Sequence, residues 1–358
     1  MSQPITVKIK LLPTKEQEAI LTRMSDEYIS TINSLVAEMV EERKPTRKTS
    51  KDMDAFLPSA VKSQAVLDAK SVFKKAKKTN FETVPLLKKH HCVWNNQNYS
   101  FDFHHISMPI MINGGAKKTP IRALLVDKKN RNVDLLKHKL GTLRITKKSN
   151  KWLAQIAVTI STDKKTGTKV MGVDLGLKVP AFAITDDEHV RFFGNGRQNK
   201  YMKRKFRSER KALGKRKKLN GIRNSKDKEQ RWMKDHDHKV SRAIVDFAKG
   251  NHISVIRLEK LANIRQTART SRKNEKNLHT WSFYRLATFI EYKATLEGIQ
   301  VEYVNPAHTS QTCPNCSERN KARDRKYQCS CGFEKHRDVV GAMNIRYAPV
   351  VDGYSQPA

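Results

Sequence analysis

The sequence predicts an α+β multidomain chain. A β-rich first half is interrupted by a helical insertion, and a second half alternates strands with helices. Three observations carry this. Ile5, Val7, Ile9 and Leu11 alternate with Thr6, Lys8 and Lys10, the period of a half-buried strand. Helical patterning over about 14–80 separates that strand from further β-type runs in 81–165. From Lys169 onward, short apolar runs alternate with helical stretches. A length of 358 residues fits two or three domains.

Pro13 ends the first strand. Thr14 followed by Gln17 reads as a capping box, so a helix begins there and runs to about Glu42. Residues 44–52 form a basic loop. A second helix covers Pro58–Lys77, with Val61, Ala65, Val66, Ala69, Val72 and Phe73 on its apolar side. Phe101–Phe103, Ile106–Ile112 and Leu143–Ile145 are aromatic and β-branched runs. Trp152–Ile160 pairs as a hairpin partner across the Lys-Lys-Ser-Asn turn at 147–150. Cys92 follows His90 and His91 and reads as a small buried hydrophobe rather than a ligand.

A polar linker, Ser161–Gly167, leads into the second half. Lys169–Asp174, Ala181–Thr185 and Val190–Phe193 read as strands. A basic helical stretch follows, and Val240–Ala248 continues as helix. His252–Leu258 is a buried strand ending in Glu259. Trp281–Glu297 is an amphipathic helix, Val301–Val304 a strand, and the last helix spans about Asp338 to Ile345. Strand–strand–strand–helix–strand–helix–strand–insert–helix is the element order of a ribonuclease-H-like α/β fold.

The formal net charge is +36, from 71 Lys+Arg and 35 Asp+Glu. Such an excess opposes compaction unless a polyanion neutralises it, which argues against an ordinary metabolic enzyme and for nucleic acid. An anionic membrane surface is the weaker alternative. There is no apolar run of about 18 residues, so no membrane span is expected. MSQPITVKIK has no apolar signal region, which points to an intracellular chain. Residues 200–228 carry 14 Lys/Arg and two acids, Glu209 and Asp227. A solvated helix is the plain reading of a charge run, but one this dense repels itself unless bound. Lys203, Arg204, Lys205, Arg207, Arg210, Lys211, Lys215, Arg216 and Lys217 are the candidate contacts.

Three acids stand where side chains can leave a core and face a cleft. Asp174 ends the first strand of this half, Glu259 ends the fourth, and Asp338 opens the last helix. Singly they read as a turn residue, a surface charge and a first-turn acid. Together they are what a two-metal phosphodiesterase needs. Hard oxygen ligands hold two Mg²⁺ ions about 4 Å apart, one to activate water and one to stabilise the leaving oxygen. Gly172 and Gly176 are expected to let a substrate backbone approach Asp174. Cys313-Pro-Asn-Cys316 and Cys329-Ser-Cys331 supply four thiolates for a closed, structural Zn²⁺ site, since clustered cysteines in an intracellular chain favour metal over disulfides. The second knuckle is one residue tight, so His308 or His336 could replace a thiolate.

Three blocks carry a family resemblance: GVDLGLK (172–178), VIRLEKL (255–261) and TSQTCPNC with CSCGFEKHRDVVGAMNI (309–345). They resemble the three split RuvC motifs of TnpB-type proteins, the RNA-guided nucleases of bacterial and archaeal insertion sequences, with a zinc ribbon interrupting the last. WSFYRLATFIEYKATLEGI (281–299) resembles the family's stretch between the second and third motifs. The resemblance covers about 170–346 by motif and the first half by layout only.

The resemblance implies a β-barrel-like wedge domain (1–13 plus 81–165) with an inserted helical recognition lobe (14–80). It implies a RuvC-like nuclease domain (168–308 plus 332–358) carrying a zinc ribbon (309–331). Asp174, Glu259 and Asp338 become the Mg²⁺-binding catalytic acids, and Cys313, Cys316, Cys329 and Cys331 the zinc ligands. Arg337 matches an arginine that accompanies the last acid, a phosphate contact or plain surface packing. The family usually shows CxxC where this chain has Cys329-Ser-Cys331. The implied function is RNA-guided cleavage of double-stranded DNA beside a short flanking motif. A monomer with one guide RNA, cytoplasmic and nucleoid-associated in a prokaryotic cell, is expected. The alternatives are a guide-dependent DNA-binding regulator without effective cleavage and a transposase accessory protein; retention of all three acids favours cleavage.

Overall fold

The computed structural model describes residues 2–125, 131–148, 150–261, 282–322 and 325–351. Ser149 of the expected turn, the expected helix start at Trp281 and residues 352–358 of the expected nuclease domain lie outside the described residues. The chain divides between Ile160 and Ser161 into two units.

The first unit holds a seven-stranded sheet and a helix pair. Strand β1 (Ser2–Leu12) buries Val7, Ile9 and Leu11, as its alternation requires. Helix α1 (Lys15–Glu42) starts at the expected capping box: the Gln17 N–H donates to Thr14 Oγ1 at 3.2 Å and the Thr14 N–H to Gln17 Oε1 at 3.1 Å. Helix α2 (Ser59–Lys78) begins after Pro58 and buries the predicted stripe from Val61 to Phe73. The pair packs together and against strand β2 (His91–Trp94). Cys92, on β2, is buried, and burial pushes its thiol up to about 12, so it behaves as a core residue.

The remaining strands are β3 (Ser100–Phe101), β4 (His105–Ile112), β5 (Gly115–Leu124), β6 (Lys139–Lys148) and β7 (Lys151–Ser161), with helix α3 (Arg131–Leu136) between β5 and β6. The sheet order is β2-β6-β7-β1-β5-β4-β3. It is a half-barrel with β2 and β3 at its edges, the form the β-barrel-like domain implied by the resemblance takes here. Strand β5 was not expected, because its lysines and Pro120 hide the pattern. Asn113 and Gly114, at φ +49° and +80°, make the tight turn that joins it to β4.

The second unit is built on a mixed sheet of order β10-β9-β8-β11-β12-β15. Its strands are β8 (Val170–Asp174), β9 (Ala181–Ile184), β10 (Val190–Phe193), β11 (Val255–Glu259), β12 (Gln300–Val304) and β15 (Val350–Val351). β11 runs parallel to β8 and to β12, while β9 and β10 fold back antiparallel. The linker is fixed to this unit: Thr162 Oγ1 donates to the Thr295 carbonyl at 2.7 Å and the Lys165 N–H to the Gly298 carbonyl at 2.9 Å.

The basic run is two helices rather than one. Helix α4 (Gly196–Lys215) is capped by Asn195, and α5 (Leu219–Gly250) restarts after a turn with Lys217 at φ +54°. Helices α5 and α6 (Phe283–Leu296) cover one sheet face, packing Ile244, Val245, Leu286 and Ile290 against Met171, Val173, Ile256 and Leu258. The other face receives α7 (Arg337–Tyr347), where Ala342 and Met343 meet Phe182 and Ile184. Between β12 and α7 lies a small ribbon containing the hairpin β13 (Lys326–Gln328) and β14 (Glu334–His336).

Candidate active site and metal centre

Strand alternation decides where two of the acids point. Met171 and Val173 of β8 face α5 and α6, so Gly172 and Asp174 face α7. On β11, Ile256 and Leu258 belong to the same helical layer, so Arg257 and Glu259 face α7 as well. Val173 and Leu258 are the last register partners of the two parallel strands, and Asp174 and Glu259 follow one residue later. The carboxylates therefore emerge side by side at the carboxyl ends of adjacent parallel strands, where open α/β sheets hold their sites.

Helix α7 brings the third acid. Its approach depends on Gly172: a Cβ there would sit 2.1 Å from the Ala342 carbonyl oxygen and 3.0 Å from the Arg346 nitrogen. The space that the sequence suggested for a substrate backbone is filled by the protein's own helix. Gly176 answers a local turn, its absent Cβ lying 2.7 Å from the Val179 carbonyl oxygen. On α7, Gly341 faces Asp174, whose Oδ2 would lie 3.2 Å from an added Cβ. Asp338 is three residues earlier on that helix, one turn back on the same side.

The electrostatics reflect this crowding. Burial pushes the Asp174 carboxyl well above the usual carboxylate range, and the charges of Glu259 and Asp338 push it further; Arg337 and Arg325 act the other way. Glu259 is buried, and burial raises it too, against a hydrogen bond from the Thr309 hydroxyl. Arg325 Nη1 bonds both carboxylate oxygens of Asp338, at 2.7 Å to Oδ2. Arg337 reaches Ser310 Oγ at 3.3 Å. The three predicted acids thus gather at one place with two arginines beside them. Arg325, Thr309 and Asn344 were missed: each lies in a quoted or basic stretch, but only the fold brings Arg325 to Asp338, Thr309 to Glu259, and Asn344 to the Thr309 carbonyl.

The ribbon gathers all four cysteines. Cys313 and Cys331 Sγ are 3.7 Å apart, Cys316 and Cys329 Sγ 3.4 Å, and all four sulfurs lie within 4.8 Å of one another. Tetrahedral zinc with Zn–S of about 2.3 Å sets sulfurs about 3.8 Å apart, so the thiol set fits the ion. The tight second knuckle closes because Gly332 takes φ +84° and donates to the Cys329 carbonyl at 3.1 Å. Neither histidine is needed. His336 Nδ1 accepts the Asp338 N–H at 3.2 Å and caps α7, and His308 Nδ1 lies 3.4 Å from Gln311 Oε1. The Asn315 amide and the Phe333 N–H hold the Cys331 thiol down at about 6. Among the described residues, no other group of three or more His, Cys, Asp or Glu ligand atoms is so tight.

Chelation of zinc should loosen the ribbon and leave the α5–α6 core intact. Hydrogen exchange of residues 309–337 should accelerate in strong chelator while that of residues 240–258 holds; unchanged exchange and melting would contradict the site.

The basic helices sort the predicted contacts. Arg204, Lys205, Arg207, Lys211, Lys215, Arg216 and Lys217 are exposed. Arg210 pairs with Glu229 of α5, and Lys203 is half-buried with its ammonium lowered by burial, so these two help hold the helices together.

The α+β fold, with three acids near its strand ends and a thiol ribbon ahead of the last acid, has relatives among known proteins. Residues 283–345, from α6 through the ribbon to α7, match the family model Cas12f1-like, TNB domain. In sequence the chain is similar to TnpB-like proteins and to CRISPR-associated Cas12f endodeoxyribonucleases. A TnpB-like protein of Methanocaldococcus jannaschii is 36% identical over 121 residues, covering 33% of this chain and 43% of that protein. The CRISPR-associated endodeoxyribonuclease Cas12f1 of Sulfoacidibacillus thermotolerans is 28% identical over 218 residues, covering 55% of this chain and 50% of that one. The matched stretches span about half or less of these relatives. The fold is that of Cas12f1 in a cryo-EM Cas12f1-sgRNA-target DNA complex, with TM-score 0.69, 14% identity, and 96% of this chain and 99% of that chain covered. No described helix is long and apolar enough to cross a membrane.

Proposed function

We propose that the protein is an RNA-guided DNA endonuclease of an insertion sequence, cutting guide-complementary DNA by two-metal phosphodiester hydrolysis. The observation that carries this is the meeting of Asp174, Glu259 and Asp338 at the ends of β8 and β11 and the start of α7. The second unit's domain is the RuvC-like nuclease, of ribonuclease-H type, and its ribbon binds structural zinc through Cys313, Cys316, Cys329 and Cys331. The sheet and helix pair of the first unit are the wedge and recognition lobe. One guide RNA binds one monomer, and the guide pairs with one strand of a double-stranded target beside a short flanking motif. A cytoplasmic, nucleoid-associated setting in a prokaryotic cell fits this activity.

The acid set fits hard divalent ions. Crowded carboxylates in a buried setting hold protons unless cations are shared among them, and oxygen donors suit Mg²⁺. Bound there, two Mg²⁺ ions would supply a nucleophile at neutral pH and charge neutralisation at the leaving oxygen. The chain's own share is orientation. Adjacent strands fix Asp174 and Glu259, α7 fixes Asp338, and Arg325 and Arg337 add positive charge suited to a backbone phosphate.

The test is co-expression with flanking DNA, purification, and sequencing of bound nucleic acid. A discrete RNA and Mg²⁺-dependent cutting of matching DNA are expected; absence of a discrete RNA removes the guided reading. The exposed face of α4 makes a second prediction. Arg204→Gln, Lys205→Gln and Lys211→Gln should together flatten the dependence of log affinity on log salt by about 0.7–0.9 per lost phosphate contact. An unchanged slope would remove that face from the interface.

A further inference from the structure

The acid Glu259 does not orient itself. It ends a strand, and its side chain would otherwise turn freely between carboxylate orientations. Thr309, on the turn between β12 and the ribbon, is buried like Glu259, and its hydroxyl donates to Glu259 Oε1. The same hydroxyl lies 3.3 Å from the Pro306 carbonyl, but it carries one proton, and a buried carboxylate is the stronger acceptor. What holds Thr309 is Asn344 of α7. Its Nδ2 donates to the Thr309 and the Thr312 carbonyls, both at 2.7 Å. The turn is closed further by the Thr312 N–H to the His308 carbonyl at 3.0 Å and by Tyr327 Oη to the Gln311 carbonyl at 3.0 Å.

We infer that Thr309 and Asn344 are positioning residues that tie the orientation of Glu259 to the helix carrying Asp338, committing Oε1 to a hydrogen bond and leaving Oε2 for a divalent cation. This rests on the proposed nuclease reading. An amide suits position 344 because one NH₂ serves two carbonyls; a carboxylate there would face two acceptors with none to donate. The consequence is that Glu259 and the helix acid Asp338 are set together, through the segment on which the ribbon begins.

The test uses the full chain with its co-purified RNA. Mn²⁺ binding is titrated calorimetrically without DNA, and the Mg²⁺ midpoint of cutting and the melting temperature are measured alongside. Thr309→Val should weaken Mn²⁺ binding and raise the Mg²⁺ midpoint by about 10-fold, the usual scale for a group behind a metal ligand. Guide and DNA binding should hold. Thr309→Ser, which keeps the hydroxyl, should restore both values, and Asn344→Asp should move both in the direction of Thr309→Val. Wild-type Mn²⁺ binding and Mg²⁺ midpoint in Thr309→Val, with both lost in Glu259→Gln, would overturn the inference and leave the nuclease reading standing. Wild-type behaviour of Glu259→Gln would overturn the reading itself. If Thr309→Val melts too low to titrate, Thr309→Ala is compared with Thr309→Ser below both melting points. Weaker Mn²⁺ binding in the alanine variant supports the inference, and equal binding overturns it.

Discussion

Replacing Asp174 with alanine should abolish cutting, a loss on the order of 10³-fold or more in rate, equivalent to about 4 kcal/mol of transition-state stabilisation. Guide RNA and target DNA should stay bound, because Asp174 is one acid in a protein of net charge +36 and lies beside the other two acids rather than on the basic helices. Single-turnover cleavage and filter binding separate the two effects. An unaltered rate would remove Asp174 from the chemistry. The same crowding has a stability side. Burial and two like charges raise the Asp174 carboxyl in the folded state above its unfolded value, so folding is favoured while the group is protonated. That advantage is lost as pH rises from about 4 through the raised value, and above it the ionised acid strains the metal-free fold. Asp174→Asn should therefore melt higher than the parent in divalent-free buffer at neutral pH. The gap should close as pH falls below about 4. A gap independent of pH would contradict the coupling.

The second large effect is Gly172→Ala. One methyl group would meet the Ala342 carbonyl oxygen at 2.1 Å, and backbone cannot rotate away as a side chain can. Helix α7 must shift, at a cost of about 1–3 kcal/mol and more if the layer does not relax. For a unit of this size that lowers the melting temperature by roughly 2–12 °C. Cutting should fall with it, since Asp338 rides on α7. Gly341→Ala separates geometry from stability. Alanine favours helix over glycine by about 1 kcal/mol, but its Cβ would crowd Asp174 Oδ2 at 3.2 Å. Activity should drop with melting preserved or raised. Wild-type melting and cutting in Gly172→Ala would show that the close approach of β8 and α7 is not needed.

The acids and cysteines were legible because their chemistry forces both residue type and position. Asp174 ends an apolar run, Glu259 ends another, and four cysteines in two short knuckles have few other uses. Their mutual placement was not legible. That Gly172 serves α7 rather than a substrate depends on the sheet face the helix covers, which periodicity does not state. Arg325 sits in a basic stretch and is indistinguishable there from its neighbours until the ribbon folds back on Asp338. Thr309 and Asn344 are ordinary polar residues 35 positions apart whose roles exist only in three dimensions. Strand β5 was obscured by lysines and Pro120, although Asn113-Gly114 carried the hairpin signal. The basic run was read as one helix because charge density does not mark the turn at Lys217.

The central claim is that this acid site cuts DNA chosen by a bound RNA. The direct measurement is reprogrammed cleavage. The guide segment of the co-purified RNA is replaced with an unrelated sequence, and the complex is offered plasmids matching the old guide or the new one, with the same flanking DNA, in Mg²⁺. Cutting should move to the plasmid that matches the new guide and should vanish with Asp174→Ala. Cutting that stays with the old sequence, ignores the guide, or survives the loss of Asp174 would contradict the account.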